Sequence, residues 1–412
     1  MLASKLLRSL MTEGQLTVID AAGVSHVFAG RPGPAVTVRL HNRALHHRLL
    51  LNPKLAVGEA YMDGTLTIED ASLYDLIDLL ARNLVAFENR PSRRFVNAVE
   101  RAVRIVHTYN PVPRAHRNVA HHYDLSGTLY DLFLDRDRQY SCAYFTSANE
   151  TIEQAQENKK LHLAAKLLLK PGQRLLDIGS GWGGLALYLA RLSGVDATGI
   201  TLSTEQHKIA NERAHTDGLN ERVRFHLRDY RLESGRYDRI VSVGMFEHVG
   251  PANYNTFFAK IRDLLAEDGV ALLHSIGRME PPGSTNPWLR KYIFPGGYTP
   301  ALSEVLSAIE RVGLWVTDIE ILRLHYAETL RHWRQRFEAN RDRVRAIYDE
   351  RFCRMWDFYL TGCEISFRRM NQMVFQVQLA RKQEAVPLTR DYVTDFERAH
   401  RAQGEETAAA AE

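Results

Sequence analysis

Between residues 174 and 184 the chain reads Arg-Leu-Leu-Asp-Ile-Gly-Ser-Gly-Trp-Gly-Gly, an apolar run ending in an acid and a glycine-rich turn. Few folds accept such a passage except where a buried strand feeds a helix over a ligand, because glycines let the backbone approach it and the helix start offers free N–H groups. Further apolar runs follow at Val195–Ile200, Val223–Leu227, Arg239–Val243 and Val270–His274, and helical patterns at Gly184–Leu192, Glu205–Thr216 and Tyr254–Leu265 separate them. The alternation predicts an α/β fold, a doubly wound, mostly parallel, Rossmann-like sheet with ligands at the carboxyl ends of its strands.

A glycine turn alone also suits a dinucleotide. Asp177, two residues ahead of Gly179, argues otherwise: an acid there repels a pyrophosphate but pairs with the α-ammonium of S-adenosylmethionine. Gly181, Trp182 and Gly183 complete the turn. The second strand ends in Thr201 rather than an acid, and the next helix brings Ser203 and Gln206, whose amide offers a donor and an acceptor to a ribose. The third ends at Asp229 and Tyr230, suited to an adenine amino group and to stacking on the base.

Residues 15 to 70 read as short strands with a loop at Asn52-Pro53, followed by helical patterns over Ala71–Leu84 and Arg93–Val106. This predicts a smaller α+β domain over 1–110, a linker over 111–120 marked by Pro111 and Pro113, a catalytic domain over 121–395 and a disordered tail over 396–412. From Arg90 to Arg117 arginines crowd around one acid, Glu100, on a helical pattern with an apolar stripe. Such a helix suits an anionic membrane surface, or it packs its stripe on its own domain.

The formal charge of +4 and the lack of an RNA-binding module argue against nucleic acid. Three cysteines, Cys142, Cys353 and Cys363, without CxxC spacing, favour a reducing cytoplasm over a disulfide framework. No metal-ligand spacing is present, so no metal is expected.

The segments HHYDLSGTLYDLFLD (121–135), YSCAYF (140–145), LLDIGSGWGG (175–184), GITLSTEQ (199–206), MFEHVG (245–250), LLHSIG (272–277), LHYAETLRHW (324–333) and RMWDFYLTGCEISFRR (354–369) together resemble the cyclopropane-fatty-acyl-phospholipid synthase family, which includes the mycolic acid cyclopropane synthases. The resemblance implies a class I methyltransferase that alkylates the double bond of an unsaturated phospholipid acyl chain and closes a cyclopropane ring. It further implies a bicarbonate ion as base, held by Cys142, Glu247, His274, Ile276 and Tyr326, with Glu247 acting directly as the alternative base. Cys363 is the cysteine traditionally marked in the family, though transfer from sulfur to carbon needs no thiolate. Tyr140 and Ser141 would lie over the methionine end, while His121, His122 and Tyr123 would close over the cofactor. A homodimer, peripheral at the inner face of the membrane, is also implied.

The chemistry fits these residue types. Methyl transfer to an unactivated alkene leaves a carbocation, so the site must exclude water and surround the cation with aromatic faces. Tyr140, Tyr144, Phe145, Trp182, Phe246 and Tyr326 all fall inside the matching segments. The rival readings are an enzyme leaving a methyl-branched or methylene chain, a small-molecule nitrogen or oxygen methyltransferase, and a silent lipid-binding scaffold.

Overall fold

The computed structural model describes residues 4–88 and 127–409. The Arg90–Arg117 segment, the linker over 111–120 and His121-His122-Tyr123 lie outside the described residues.

The chain first builds a four-stranded sheet from β1 (Glu13–Ile19), β2 (Ser25–Ala29), β3 (Arg31–Leu40) and β4 (Leu66–Ile68), in the order β2-β1-β3-β4. Leu16, Val18, Phe28, Val36, Val38 and Leu40 face inward and pack with Leu76 and Leu79 of the helix Leu73–Glu88. The expected loop at Asn52-Pro53 is instead the junction of two helices, Leu45–Leu51 and Pro53–Met62. Pro53 opens the second helix, where its missing N–H costs nothing.

The larger sheet has the order β10-β11-β9-β8-β5-β6-β7. Its strands are β5 (Arg174–Ile178), β6 (Asp196–Thr201), β7 (Val223–Leu227), β8 (Tyr237–Val243), β9 (Leu265–Arg278), β10 (Trp315–Ile321) and β11 (Gln372–Ala380). Strands β5 to β9 run parallel, while β11 inserts antiparallel between β9 and β10. The chain steps from β5 outward to β7 and returns to β8 on the other side of β5. That reversal opens a crevice at the carboxyl ends of β5 and β8.

Helix Ile152–Leu167 is buried on nearly every face, including Gln156, Lys159, Lys160, His162 and Lys166. These polar residues therefore need partners inside the protein. The smaller unit docks on helix Glu350–Arg369 through Arg369 to Asp78 (2.8 Å) and the Tyr61 hydroxyl to Asp357 (3.0 Å). The tail expected to be disordered over 396–412 is corrected for its described residues: helix Asp391–Ala409 covers 396–409, and Glu397 bonds to His162 at 2.6 Å. Among the described residues, no helix is long and apolar enough to cross a membrane.

Candidate active site

The crevice is a cleft of about 1170 Å³ including its open mouth, lined by Tyr140, Ser141, Asp177, Gly179, Gly181, Trp182, Thr201, Gln206, Asp229 and Tyr230 among others. Ten of the twelve residues read as cofactor-binding thus share one wall. Gly183 and Ser203 stand behind it. A Cβ on Gly183 would meet Phe225 at 2.6 Å and Ala210 at 3.0 Å, so this glycine lets helix Gly184–Ser193 close on the sheet. The Ser203 hydroxyl caps helix Thr204–Thr216 by accepting from the Gln206 N–H.

The lining polar atoms fit an S-adenosylmethionine. Asp177 is buried at the floor, and desolvation pushes its pKa up to about 7, with only the charge of Lys159 opposing. A buried acid in that state gains most from a bound cation such as an α-ammonium. The Thr201 hydroxyl donates to Gln206 Oε1 at 2.9 Å, which orients the amide and leaves its NH2 as the donor toward a ribose. Asp229 takes a two-pronged contact from Arg231, at 2.8 and 2.6 Å, so it meets an adenine already paired. The Ser180 hydroxyl and the Trp182 indole N–H are buried with no partner among the described residues. A Cβ on Gly181 would meet none of the described atoms within 4 Å, so the loop is open on the ligand side.

Segment 140–145 runs between this cleft and a buried apolar cluster. Lys159 holds its inner face by donating to Ser141 Oγ at 2.9 Å, and Thr329 accepts the Ala143 N–H at 3.0 Å. Tyr140 and Trp182 line the cleft and also belong to a cluster containing Cys142, Tyr326, Trp333, Tyr359 and, at its margin, Ile276 and Cys363. Tyr326 packs against Phe367 at 4.8 Å and Trp333 at 5.8 Å.

Glu247 sits between Met245 and His248, both on the cleft wall, and its Oε1 accepts the Ile276 N–H at 2.6 Å. The residue is partly accessible, but its Oε2 is buried with no partner among the described residues, and burial raises the carboxyl pKa to about 7. The Ile276 amide is therefore already engaged in aiming Glu247. His274 lies two residues earlier on the same face of β9 and is held neutral, well below its ordinary pKa, by burial and by Lys159, Lys166 and His162. Burial also raises both thiols, Cys142 strongly and Cys363 to about 12, so neither is a thiolate at neutral pH.

Sequence reasoning missed Tyr359, whose hydroxyl lies 2.8 Å from that of Tyr140. Its signal was spacing: it precedes Cys363 by four residues on one helix and so shares its face. Met245 and His248 were also missed as lining, although their segment was singled out. Lys159 and Gln376, which support the site from behind, gave no signal.

Known proteins resemble this chain in sequence and in fold. The family described as mycolic acid cyclopropane synthetase matches residues 112–377. The cyclopropane-fatty-acyl-phospholipid synthase of Escherichia coli K12 is 38% identical over 344 residues, covering 84% of this chain and 87% of that protein. A probable fatty acid methyltransferase of Pseudomonas putida is 36% identical over 349 residues, covering 82% and 85% respectively. The crystal structure of mycolic acid cyclopropane synthase CmaA1 complexed with SAH and CTAB superposes with a TM-score of 0.61 at 34% identity, covering 66% of this chain and 99% of that one.

Proposed function

The chain belongs to the mycolic acid cyclopropane synthetase family and is an S-adenosylmethionine-dependent methyltransferase, and on that premise we propose that it methylates the cis double bond of a phospholipid acyl chain and closes a cyclopropane ring. One observation carries the reading: Tyr140 and Trp182 line the cofactor cleft and also pack into the buried aromatic cluster of Tyr326, Trp333 and Tyr359. A methyl group presented at those two rings meets buried aromatic surface, the setting that an alkene and a transient cation need.

Asp177 and Gln206 hold and orient the cofactor. Tyr140, Tyr326, Tyr359 and Trp333 turn aromatic surface toward the cation that methyl transfer creates, each face contributing about 0.5–2 kcal/mol. Glu247 Oε2 is a buried acceptor with no partner among the described residues, and neutral His274 is a donor. These residues fit a bicarbonate ion: Glu247 would take its hydroxyl hydrogen bond, and His274 and Tyr326 would donate to its oxygens. Bound there, bicarbonate supplies the base that removes the methyl proton. The ring then closes between the former methyl carbon and the cationic carbon.

The Pseudomonas putida relative supports a second reading, in which the cation is resolved to a methyl-branched or methylene chain. The enzyme works on lipid as a peripheral dimer at the inner membrane face, with the Arg90–Arg117 segment meeting anionic headgroups. The test incubates the protein with labelled S-adenosylmethionine and unsaturated phospholipid vesicles, with and without bicarbonate, then measures acyl-chain mass before and after hydrogenation. A ring product formed only with bicarbonate is expected. A labelled chain that takes up hydrogen favours a methylene product, and turnover unaffected by bicarbonate makes Glu247 itself the base. Arg94→Glu, Arg101→Glu and Arg104→Glu together should weaken sedimentation with anionic vesicles; equal sedimentation rejects that contact.

A further inference from the structure

We infer that Gln376 is a positioning residue that fixes the tautomer of His274, and through it the direction of the hydrogen that His274 offers to the site. The inference rests on the donor role proposed for His274. The two residues are direct partners across the antiparallel pair β9 and β11, and both are buried. Gln376 Nε2 lies 3.2 Å from His274 Nδ1.

An amide can be turned either way, and here Lys166 decides. Its ammonium, which has only hydrogens to give, lies 2.8 Å from Gln376 Oε1. Turning the amide would set NH2 against the ammonium, so the carbonyl must face Lys166 and the NH2 must face the imidazole. Nδ1 therefore accepts, and the single ring hydrogen of the neutral His274 resides on Nε2. Lys166 is itself held: Glu320 pairs with it, and Glu320 also takes His162 Nε2 at 2.7 Å, while Glu397 takes the other ring nitrogen at 2.6 Å.

This accounts for an otherwise costly residue. Gln376 is fully buried, where an amide is tolerated only when its groups are paired. Were the hydrogen on Nδ1 instead, Nε2 would turn a lone pair toward an anion and repel it.

The test labels the imidazole nitrogens of the full chain and finds His274 among the 17 histidines by the resonance lost in His274→Asn. The neutral Nε2–H tautomer is expected in the native protein. Gln376→Glu presents an acceptor to Nδ1, and the hydrogen should move there; turnover should fall by about 10²–10⁴ while cofactor affinity stays within about twofold. In a His274→Asn background the same substitution should cost little more, because Gln376 acts through the ring. Should Gln376→Glu fail to fold, Gln376→Met leaves Nδ1 unpaired and should give a mixture of tautomers. An Nδ1–H native tautomer, an unmoved tautomer in the variants, or an undiminished cost in the His274→Asn background would each overturn the inference. A moved tautomer with full turnover would uphold Gln376 and reject the donor role of His274.

Discussion

The Ile276 backbone N–H donates to Glu247 Oε1 at 2.6 Å, which aims the carboxylate while Oε2 remains dry and unmatched among the described residues. One oxygen positions the group and the other is free for chemistry. Glu247→Gln keeps the shape and removes the charge. Turnover should drop by about 10²–10⁴, with cofactor affinity near normal in a direct binding measurement. Since burial raises the Glu247 pKa to about 7 and the ionised form is the acceptor, native turnover at saturating cofactor should decline as pH falls below 7. The Gln variant should show no such limb.

Asp177 is also raised to about 7 by burial, and here function opposes stability. The native state holds a proton on Asp177 over pH values where the unfolded chain has lost it. The site therefore costs no stability below the ordinary carboxylate range, and it costs progressively more as pH rises toward 7. Each tenfold difference in proton affinity between the two states is worth about 1.4 kcal/mol. Without cofactor, Asp177→Asn should raise Tm by roughly 5 °C at pH 8 and scarcely change it at pH 4. In the native protein, cofactor affinity should rise from pH 6 to about 7.5, below the titration of the ligand's own amine. The Asn variant should bind weakly and without that slope. Calorimetric melting and titration measure both.

Thr201 makes Gln206 useful by occupying its carbonyl at 2.9 Å. Thr201→Val keeps the shape and removes the hydroxyl, so the amide loses its orientation and a buried acceptor loses its partner. Cofactor Kd should rise about fivefold to tenfold, equivalent to about 1–1.4 kcal/mol. Isothermal titration measures it, and an unchanged Kd would mean that Gln206 needs no anchor.

How legible each part was depends on whether its signal is local. The strands β5 to β8 and the glycine turn were legible because buried parallel strands are short apolar runs separated by helices. Asp177 and Thr201 followed from their places at strand ends, and Gln206 from its place in the first turn of the next helix. Helix Ile152–Leu167 was not legible: buried on nearly every face yet rich in Lys and Gln, it has no apolar stripe to detect. Its polar residues are paired with Ser141 on the preceding loop and with Gln376 and Glu320, distant in sequence. The pairing of Gln376 with His274 is likewise a cross-strand relation that spans 102 residues. The junction at Asn52-Pro53 was misread because proline signals a loop and a helix start alike.

Gly58 offers the sharpest test of how the smaller unit is seated. It lies in the interior of helix Pro53–Met62, where a glycine costs about 1 kcal/mol relative to alanine unless contact requires it. Contact does require it: a Cβ there would meet the Trp288 indole at 2.5 Å and Phe358 at 2.9 Å. Trp288 is fully buried and bonds through its N–H to Met62 Sδ at 3.2 Å, so the ring has nowhere to move. Gly58→Ala should gain helix propensity yet destabilise by about 1–3 kcal/mol through overpacking, with a shift in tryptophan fluorescence. Cofactor binding should stay unchanged, because the cleft is built from the larger sheet. A variant that melts higher than the native protein would show that this seam is loosely packed, with Trp288 free to yield.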